Sequence, residues 1–251
     1  MQKLISDSYN FQIHPFWRGH LFLFQPPKVK TYNAQQGFKM LLVFLLMEII
    51  LRPLILFCSK WFEITDRYWW TLVNVTILTI LVFLLVRIFI KIRGSQLGLH
   101  AWKNWSKTEK LYFLQIIPIA TIVFSFFTSE KLKVLFTRPN LLDICLFIFI
   151  PQIIWGFYQE LLYRGILQTE LVRRLGSWKG ILASNLIFTF GPLHAYHFLT
   201  AQKNPSHLWI FAATFAIGFI FAIIFKRSDN LWIIGIMHGI GNMFLNGLAK
   251  I

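Results

Sequence analysis

Apolar runs of membrane-crossing length constrain what this chain can fold into more than any other feature of its sequence. An α-helix needs roughly 20 predominantly apolar residues to cross the hydrocarbon core of a bilayer, and such runs recur along most of the chain. Of the 251 residues 56% are hydrophobic and only 14% are charged, with a mean hydropathy of +0.58. Outer-membrane strands would instead alternate in short segments. The sequence therefore predicts an all-α, polytopic helical membrane bundle.

About seven transmembrane spans are predicted, at about residues 40–57, 70–90, 111–127, 141–167, 178–199, 208–225 and 231–248. Residues 38–251 would thus form one membrane domain. Residues 1–37 mix basic, polar and aromatic side chains, and we expect them to form an arm in the cytoplasm or at the membrane surface. Lys and Arg are denser in the connections on the same side as this arm, so the positive-inside rule predicts a cytoplasmic N-terminus.

The formal net charge of +15 would suit a nucleic-acid-binding protein. The Lys and Arg residues, however, fall between the apolar runs, where they act as topology signals. No soluble domain is predicted that could carry a basic face. The lipid bilayer is therefore the expected partner, and nucleic acid is not. Cys58 and Cys145 lie in or beside apolar runs and indicate neither a disulfide framework nor a cysteine-based zinc site.

Polar residues inside the apolar runs are the candidate functional residues, because ionisable groups are costly within a membrane. Glu160 and Arg164 lie four residues apart in the fourth span, share a helical face and can pair. His194 lies in the fifth span, and His238 and Asn242 leave one face of the seventh. Convergence would let each group find partners, so we predict a polar cavity among spans four to seven. Histidine and glutamate there suit activation of water, by a general base or by a metal.

Glu48 and Arg52 form another pair four residues apart, in the first span. A mutual ion pair that joins helices is the favoured interpretation, and a catalytic part is the alternative.

The three polar motifs resemble, in order, those of the CAAX protease and bacteriocin-processing family, also called the Abi family. This group contains the prenyl-protein endopeptidase of eukaryotes. Its pattern is Glu-Glu-x-x-x-Arg, then Phe-x-x-x-His, then His-x-x-x-Asn, on late membrane spans. The matches, within residues 141–246, are Glu160 with Arg164, Phe190 with His194, and His238 with Asn242.

The resemblance implies an intramembrane endopeptidase that hydrolyses peptide bonds of a peptide or membrane-protein substrate with activated water. By this resemblance His194 activates the water together with position 159, while Glu160 and Arg164 orient the site. His238 and Asn242 then form the oxyanion hole. We expect a multi-pass protein of a bacterial cytoplasmic membrane, for which maturation or clearance of small or bacteriocin-like peptides suits better than prenylated substrates.

Metal dependence is an alternative that the residues leave open. No cofactor is expected, since the better-supported picture of the family is metal-free. The alternative is a zinc ion held by Glu160, His194 and His238, three protein ligands with one open position.

Gln159 departs from the family pattern, because an amide stands where the family has its first glutamate. An amide cannot take up a proton at working pH. Glu160 could serve as the base after a small helix rotation, or the protein could have lost proteolysis and kept a binding role as an immunity or scaffold protein. The glutamine could also be an engineered substitution. We favour a natural variant that is still a protease.

The heights of two site residues conflict in the predicted topology. Along straight helices rising 1.5 Å per residue, Glu160 and His194 would differ by on the order of 10 Å. A break at Gly191-Pro192, a bend at Pro151 or a displaced span boundary would each reduce this difference.

Overall fold

The computed structural model describes residues 32–61, 67–136, 140–194 and 207–247. All regular secondary structure in these ranges is helical. Most of the predicted arm, residues 1–31, lies outside the described residues, so the prediction for it is not tested.

The helices are numbered here in chain order, and several contain a π-helical segment. Helix α1 comprises Ala34–Leu45, the π-helical Leu46–Leu51 and Arg52–Trp61, and α2 comprises Arg67–Leu84 and the π-helical Leu85–Ile90. Helices α3 and α4 are Lys107–Phe127 and Ser129–Phe136. Helix α5 runs continuously over Leu141–Leu175, with π-helical turns at Cys145–Phe149 and Leu161–Gln168. Helix α6 is Ser177–Phe190, α7 is His207–Ser228, and α8 comprises Leu231–Asn242 and the π-helical Met243–Gly247.

Four helical stretches among the described residues are long and apolar enough to cross a membrane: Trp70–Ile90, Lys107–Phe126, Leu141–Leu175 and Leu208–Ser228. Large apolar side chains such as Ile122, Phe126 and Trp209 face outward from the bundle, as contact with lipid requires. These findings confirm an integral, helical membrane bundle. The number of seven spans and the cytoplasmic N-terminus remain predictions.

Helix α5 lies at the centre of the bundle, and residues 156–170 are all buried. Helices α1, α2, α6 and α8 pack around it. The π-helical turn Leu161–Gln168 changes the angular spacing of side chains along the axis, and such turns are frequent at functional sites. Because α5 is enclosed on all sides here, its polar residues meet other protein groups rather than lipid.

Glycines bring α5 and α8 unusually close together. A Cβ atom at Gly156 would overlap the backbone of His238 and Gly239, and one at Gly239 would overlap the backbone of Ile153. Small residues permit this kind of approach between membrane helices, where dispersion contacts rather than the hydrophobic effect drive packing. The approach allows side chains of α5 and α8 to form direct hydrogen bonds.

Helix α6 ends at Phe190, so the prediction that the fifth span continues as a helix through His194 is wrong. Gly191 has extended backbone, and Pro192 begins a single 3₁₀ turn, Pro192–His194. Proline has no N–H to donate to the preceding helical turn, which favours termination at this point. The predicted break at Gly191-Pro192, one of the three ways to reduce the height difference between Glu160 and His194, is therefore present in the structure.

The buried Glu48 anchors α1 to the back of α5. Its Oε2 lies 3.2 Å from Nη2 of Arg52 and accepts a 2.9 Å hydrogen bond from the hydroxyl of Tyr163. Its Oε1 accepts a longer hydrogen bond, 3.4 Å, from Tyr158. The predicted ion pair is confirmed, and it belongs to a larger cluster than the sequence indicated.

A second acidic residue ties the far end of α5 to the start of α1. The buried carboxylate of Glu170 accepts hydrogen bonds from Arg173, Arg174 and the hydroxyl of Tyr32. Burial, and then the neighbouring Glu170 charge, raise the pKa of Tyr32 far above its usual value. Tyr32 therefore stays protonated as a hydrogen-bond donor.

Candidate functional site

Glu160 is the residue around which the candidate site is built. It is fully buried, and its Oε1 lies 2.7 Å from Nδ1 of His238 on α8. A carboxylate only accepts hydrogen bonds, so Nδ1 of this imidazole carries a proton. Oε2 of Glu160 lies 3.3 Å from Nε of Arg164, a contact through a single pair of atoms rather than a bidentate one. The carboxylate is thus held between two basic side chains.

Arg164 links α5 to two further helices. Its Nη2 donates to the carbonyl oxygen of Gly218 on α7 at 2.9 Å and to Oδ1 of Asn185 on α6 at 3.3 Å. Nδ2 of Asn185 in turn donates to the carbonyl of Phe215 at 2.9 Å. A buried guanidinium needs such partners, because an uncompensated charge at this depth is strongly destabilising. Arg164 therefore fixes the position of Glu160 relative to α6 and α7.

Gln159 precedes Glu160 on α5, and its side chain also contacts α8. It is 5% exposed, and its Oε1 accepts a 3.3 Å hydrogen bond from Nδ2 of Asn242. Oδ1 of Asn242 accepts another, at 3.2 Å, from Nδ2 of Asn246 one turn further along α8. The amide of Gln159 is thus paired with the asparagine of the third polar motif.

His194 reaches the site from the 3₁₀ turn that follows α6. The turn folds the imidazole back so that Nδ1 donates to the carbonyl of Phe188 at 2.7 Å. In the neutral ring this leaves Nε2 as the nitrogen that bears the lone pair. Because of the turn, His194 is not carried further along the axis of α6, as a straight helix would carry it.

The ring of Phe188 is the common neighbour of the site residues. Its centroid lies 5.2 Å from that of His194 and 6.0 Å from that of His238, edge-to-face in both cases. The guanidinium carbon of Arg164 lies 4.7 Å from the same centroid, and Tyr163 packs against it at 5.1 Å. Phe188 thus brings residues from three separate motifs around one side chain.

The polar motifs in the sequence did not identify Phe188 and Asn185. They include Phe190 instead, which is 52% exposed and whose ring stacks on Phe211. Asn185 could have been found as a polar residue inside an apolar run, the signal that identified the histidines. Phe188 carries no such signal, because it is one of 27 phenylalanines in an apolar chain.

The six residues singled out from the sequence are Gln159, Glu160, Arg164, His194, His238 and Asn242, and all lie where α5, α6 and α8 meet. A water-filled cavity at this point remains a prediction. Within the described ranges, no group of three or more His, Cys, Asp or Glu side chains is arranged to hold a metal ion. Oε1 of Glu160 and Nδ1 of His238 are instead paired with each other. The zinc alternative remains a hypothesis for experiment.

Residues 141–244 match the family model described as type II CAAX prenyl endopeptidase Rce1-like. This segment begins at the start of α5 and ends within α8, so it includes the six residues singled out from the sequence. No curated protein and no solved structure matches the chain.

Proposed function

We propose that this chain, whose residues 141–244 match the Rce1-like family model, is an intramembrane endopeptidase that hydrolyses peptide bonds with activated water. The observation that carries the proposal is the pairing of Glu160 with His238, one turn away from the pairing of Gln159 with Asn242. A peptidase is what the family implies. The substrate and the roles of individual residues are our own assignments.

His194 is the proposed general base. With Nδ1 donating to Phe188, its Nε2 can accept a proton from water as the water attacks the scissile carbonyl carbon. The same imidazolium then gives that proton to the leaving amine. The short backbone hydrogen bond keeps the ring in the tautomer that this step needs.

His238 and Asn242 are the proposed oxyanion donors. Nδ1 of His238 donates to Glu160, and in the doubly protonated form of the ring Nε2–H can donate to the developing oxyanion. Nδ2 of Asn242 is the second donor, and it would exchange its bond to Gln159 for one to the substrate. Preorganised donors of this kind contribute about 3 kcal/mol each to transition-state stabilisation.

Gln159 is expected to slow this reaction without disrupting the site. A carboxylate at position 159 could accept a proton from water, as His194 does. An amide cannot accept a proton and can only hydrogen-bond to water and to Asn242. We propose low but measurable cleavage of small apolar peptides in a bacterial cytoplasmic membrane, with the N-terminus inside. A prenylated peptide ending in a CAAX sequence is the comparison substrate, because the family description refers to prenyl endopeptidases.

The test is cleavage by purified protein in nanodiscs, followed by mass spectrometry of the products. We expect new termini with the unsubstituted chain and none with His194→Ala. Cleavage by Gln159→Glu but not by the unsubstituted chain would refute enzymatic activity of this chain while leaving that of its family intact.

A non-catalytic membrane binder, such as an immunity or scaffold protein, is the second candidate function. The direct Gln159–Asn242 hydrogen bond favours it, because Oε1 of Gln159 and Nδ2 of Asn242 are paired with each other and the amide cannot take up a proton. This function predicts that His194→Ala leaves the cellular phenotype unchanged in a protein that still folds. Proteolysis predicts loss of the phenotype.

A further inference from the structure

Next to the Glu160–His238 pair, four carboxamide side chains lie along the contact between α5 and α8. Gln152 and Gln159 lie on α5, seven residues and so about 10 Å apart along the axis. Asn242 and Asn246 lie one turn apart on α8, and Gln152 packs beside Gly247 at the same end of the seam as Asn246. The two helices run antiparallel here, so the seam leads from the Glu160–His238 pair towards Gln152. We name these four residues the carboxamide seam.

The two hydrogen bonds within the seam both donate towards Gln159. Asn246 donates to Asn242, and Asn242 donates to Gln159. Each carboxamide has two N–H donors and a carbonyl acceptor. Among the described residues, this leaves Nε2 of Gln159 and Oδ1 of Asn246 without a hydrogen-bond partner. Unpaired donor and acceptor groups thus lie on the same seam.

Gln152 is the unexplained member of the seam. Its side chain is only 6% exposed, yet no described residue hydrogen-bonds to its carboxamide. Neither polar atom of this carboxamide is fully enclosed by the protein, so both remain accessible from outside it. An unpaired carboxamide at a membrane-buried position costs free energy that a bound polar group would recover.

We propose that the carboxamide seam binds the backbone of an extended peptide. A carboxamide carries the same donor and acceptor as a peptide group, so it can replace the neighbouring strand that an extended backbone would otherwise need. At about 3.3 Å per residue, 10 Å of seam accommodates about three residues of extended chain. The inference rests on the proposed function only in placing the scissile bond at the Gln159–Asn242 end.

Backbone recognition has a consequence for the peptides that bind. Peptide N–H and C=O groups are the same in every residue except proline, so affinity depends little on side-chain sequence. It depends on the N–H groups that face the seam. Replacing such an N–H by N–CH₃ removes the donor and leaves the side chains unchanged.

Equilibrium binding of a labelled peptide to the full chain in nanodiscs tests the proposal. The probe is a fluorescein-labelled decapeptide of alternating leucine and alanine with a terminal lysine, and its partner is the same peptide with alternate backbone nitrogens methylated. The variants are Gln152→Leu and Asn246→Leu. Gln115→Leu is the matched control, because Gln115 is an exposed carboxamide on α3 outside the seam. Empty nanodiscs correct for partition into lipid.

We expect the dissociation constant to rise at least fivefold in both seam variants and to stay unchanged in Gln115→Leu. N-methylation should weaken binding to the unsubstituted chain by a similar factor and have little further effect on the seam variants. A purely structural seam would instead leave the N-methylation effect the same in every variant, which overturns the proposal. Absence of binding to the unsubstituted chain above empty nanodiscs overturns it as well.

Binding and cleavage fail separately in this design. Binding that responds to the seam variants, without cleavage by any variant, leaves the seam in place and removes the proposed protease. Cleavage with an unchanged KM in Gln152→Leu and Asn246→Leu would support the proposed protease and refute peptide binding by the seam. Asn246 is exposed, so its substitution tests the seam even if Gln152→Leu does not fold.

Discussion

Oε1 of Glu160 lies 2.7 Å from Nδ1 of His238, although the two residues are 78 positions apart in the chain. Arg164 holds the other carboxylate oxygen from within α5. A carboxylate whose two oxygens both contact basic side chains is a poor general base, because taking up a proton would disrupt one of these contacts. This geometry favours His194 over Glu160 as the group that takes a proton from water.

Gln159→Glu should raise the cleavage rate by at least tenfold, because a positioned general base contributes about 10²- to 10⁴-fold to a rate. Asn242 can donate to a carboxylate oxygen as it does to the amide oxygen, so the fold should tolerate the change. Initial rates with a fluorogenic apolar peptide measure the effect. Gln159→Leu is the control and should lower the rate. An unchanged rate in Gln159→Glu would show that position 159 does not limit the chemistry.

Arg164→Met should lower the free energy of unfolding by about 3–5 kcal/mol, because it strands the Glu160 carboxylate in a buried site. The double variant Arg164→Met with Glu160→Gln removes both charges and should recover much of that loss. Reversible unfolding in mixed micelles gives the difference. A double variant no more stable than the single one would show that the hydrogen bonds of Arg164 to α6 and α7, and not its pairing with Glu160, carry its contribution.

Phe188→Ala should destabilise the protein by about 3 kcal/mol, since it opens a cavity where the ring is 3% exposed. It should also abolish cleavage, because the ring separates and supports both histidines. Phe190→Ala is the matched control, with an exposed ring in the same helix. Thermal unfolding and cleavage rates are measured together. Equal effects of the two substitutions would contradict the role given to Phe188.

Tyr163→Phe should cost about 1.5–3 kcal/mol of stability, the usual contribution of a hydrogen bond to a charged group. It removes a 2.9 Å hydrogen bond to the buried Glu48 carboxylate. Tyr158→Phe removes the longer, 3.4 Å hydrogen bond to the same carboxylate and should cost less. Unfolding curves of the two variants rank them. The reverse order would place the main anchor of α1 elsewhere.

Chelation should leave cleavage unchanged, because Glu160 and His238 already satisfy each other directly. Cleavage rates are compared before and after dialysis against EDTA, and again after addition of zinc. Loss of activity on chelation with recovery by zinc would establish the alternative zinc site at Glu160, His194 and His238. Chelation of a phosphatase in the same buffer serves as the positive control.

Much of the candidate site could be predicted because polar residues in apolar helices are few. Glu160 with Arg164, and His238 with Asn242, follow from helical spacing alone. Gln152 and Asn246 are also polar residues in apolar helices, but nothing in their spacing connects helices that lie about 90 residues apart in the chain. Their neighbourhood depends on how α5 and α8 cross.

The sequence by itself determined the helical membrane class and the ion pair of Glu48 with Arg52. These properties follow from apolar length and from contacts within one helical turn. Only the tertiary structure decided that Glu160 pairs with His238, and that a turn after Phe190 folds His194 back to Phe188. The physical reason is that the first contact depends on how closely α5 and α8 approach, which their glycines permit, and the second depends on the break in α6 at Gly191-Pro192. Neither effect appears in the hydrophobic periodicity of a single segment.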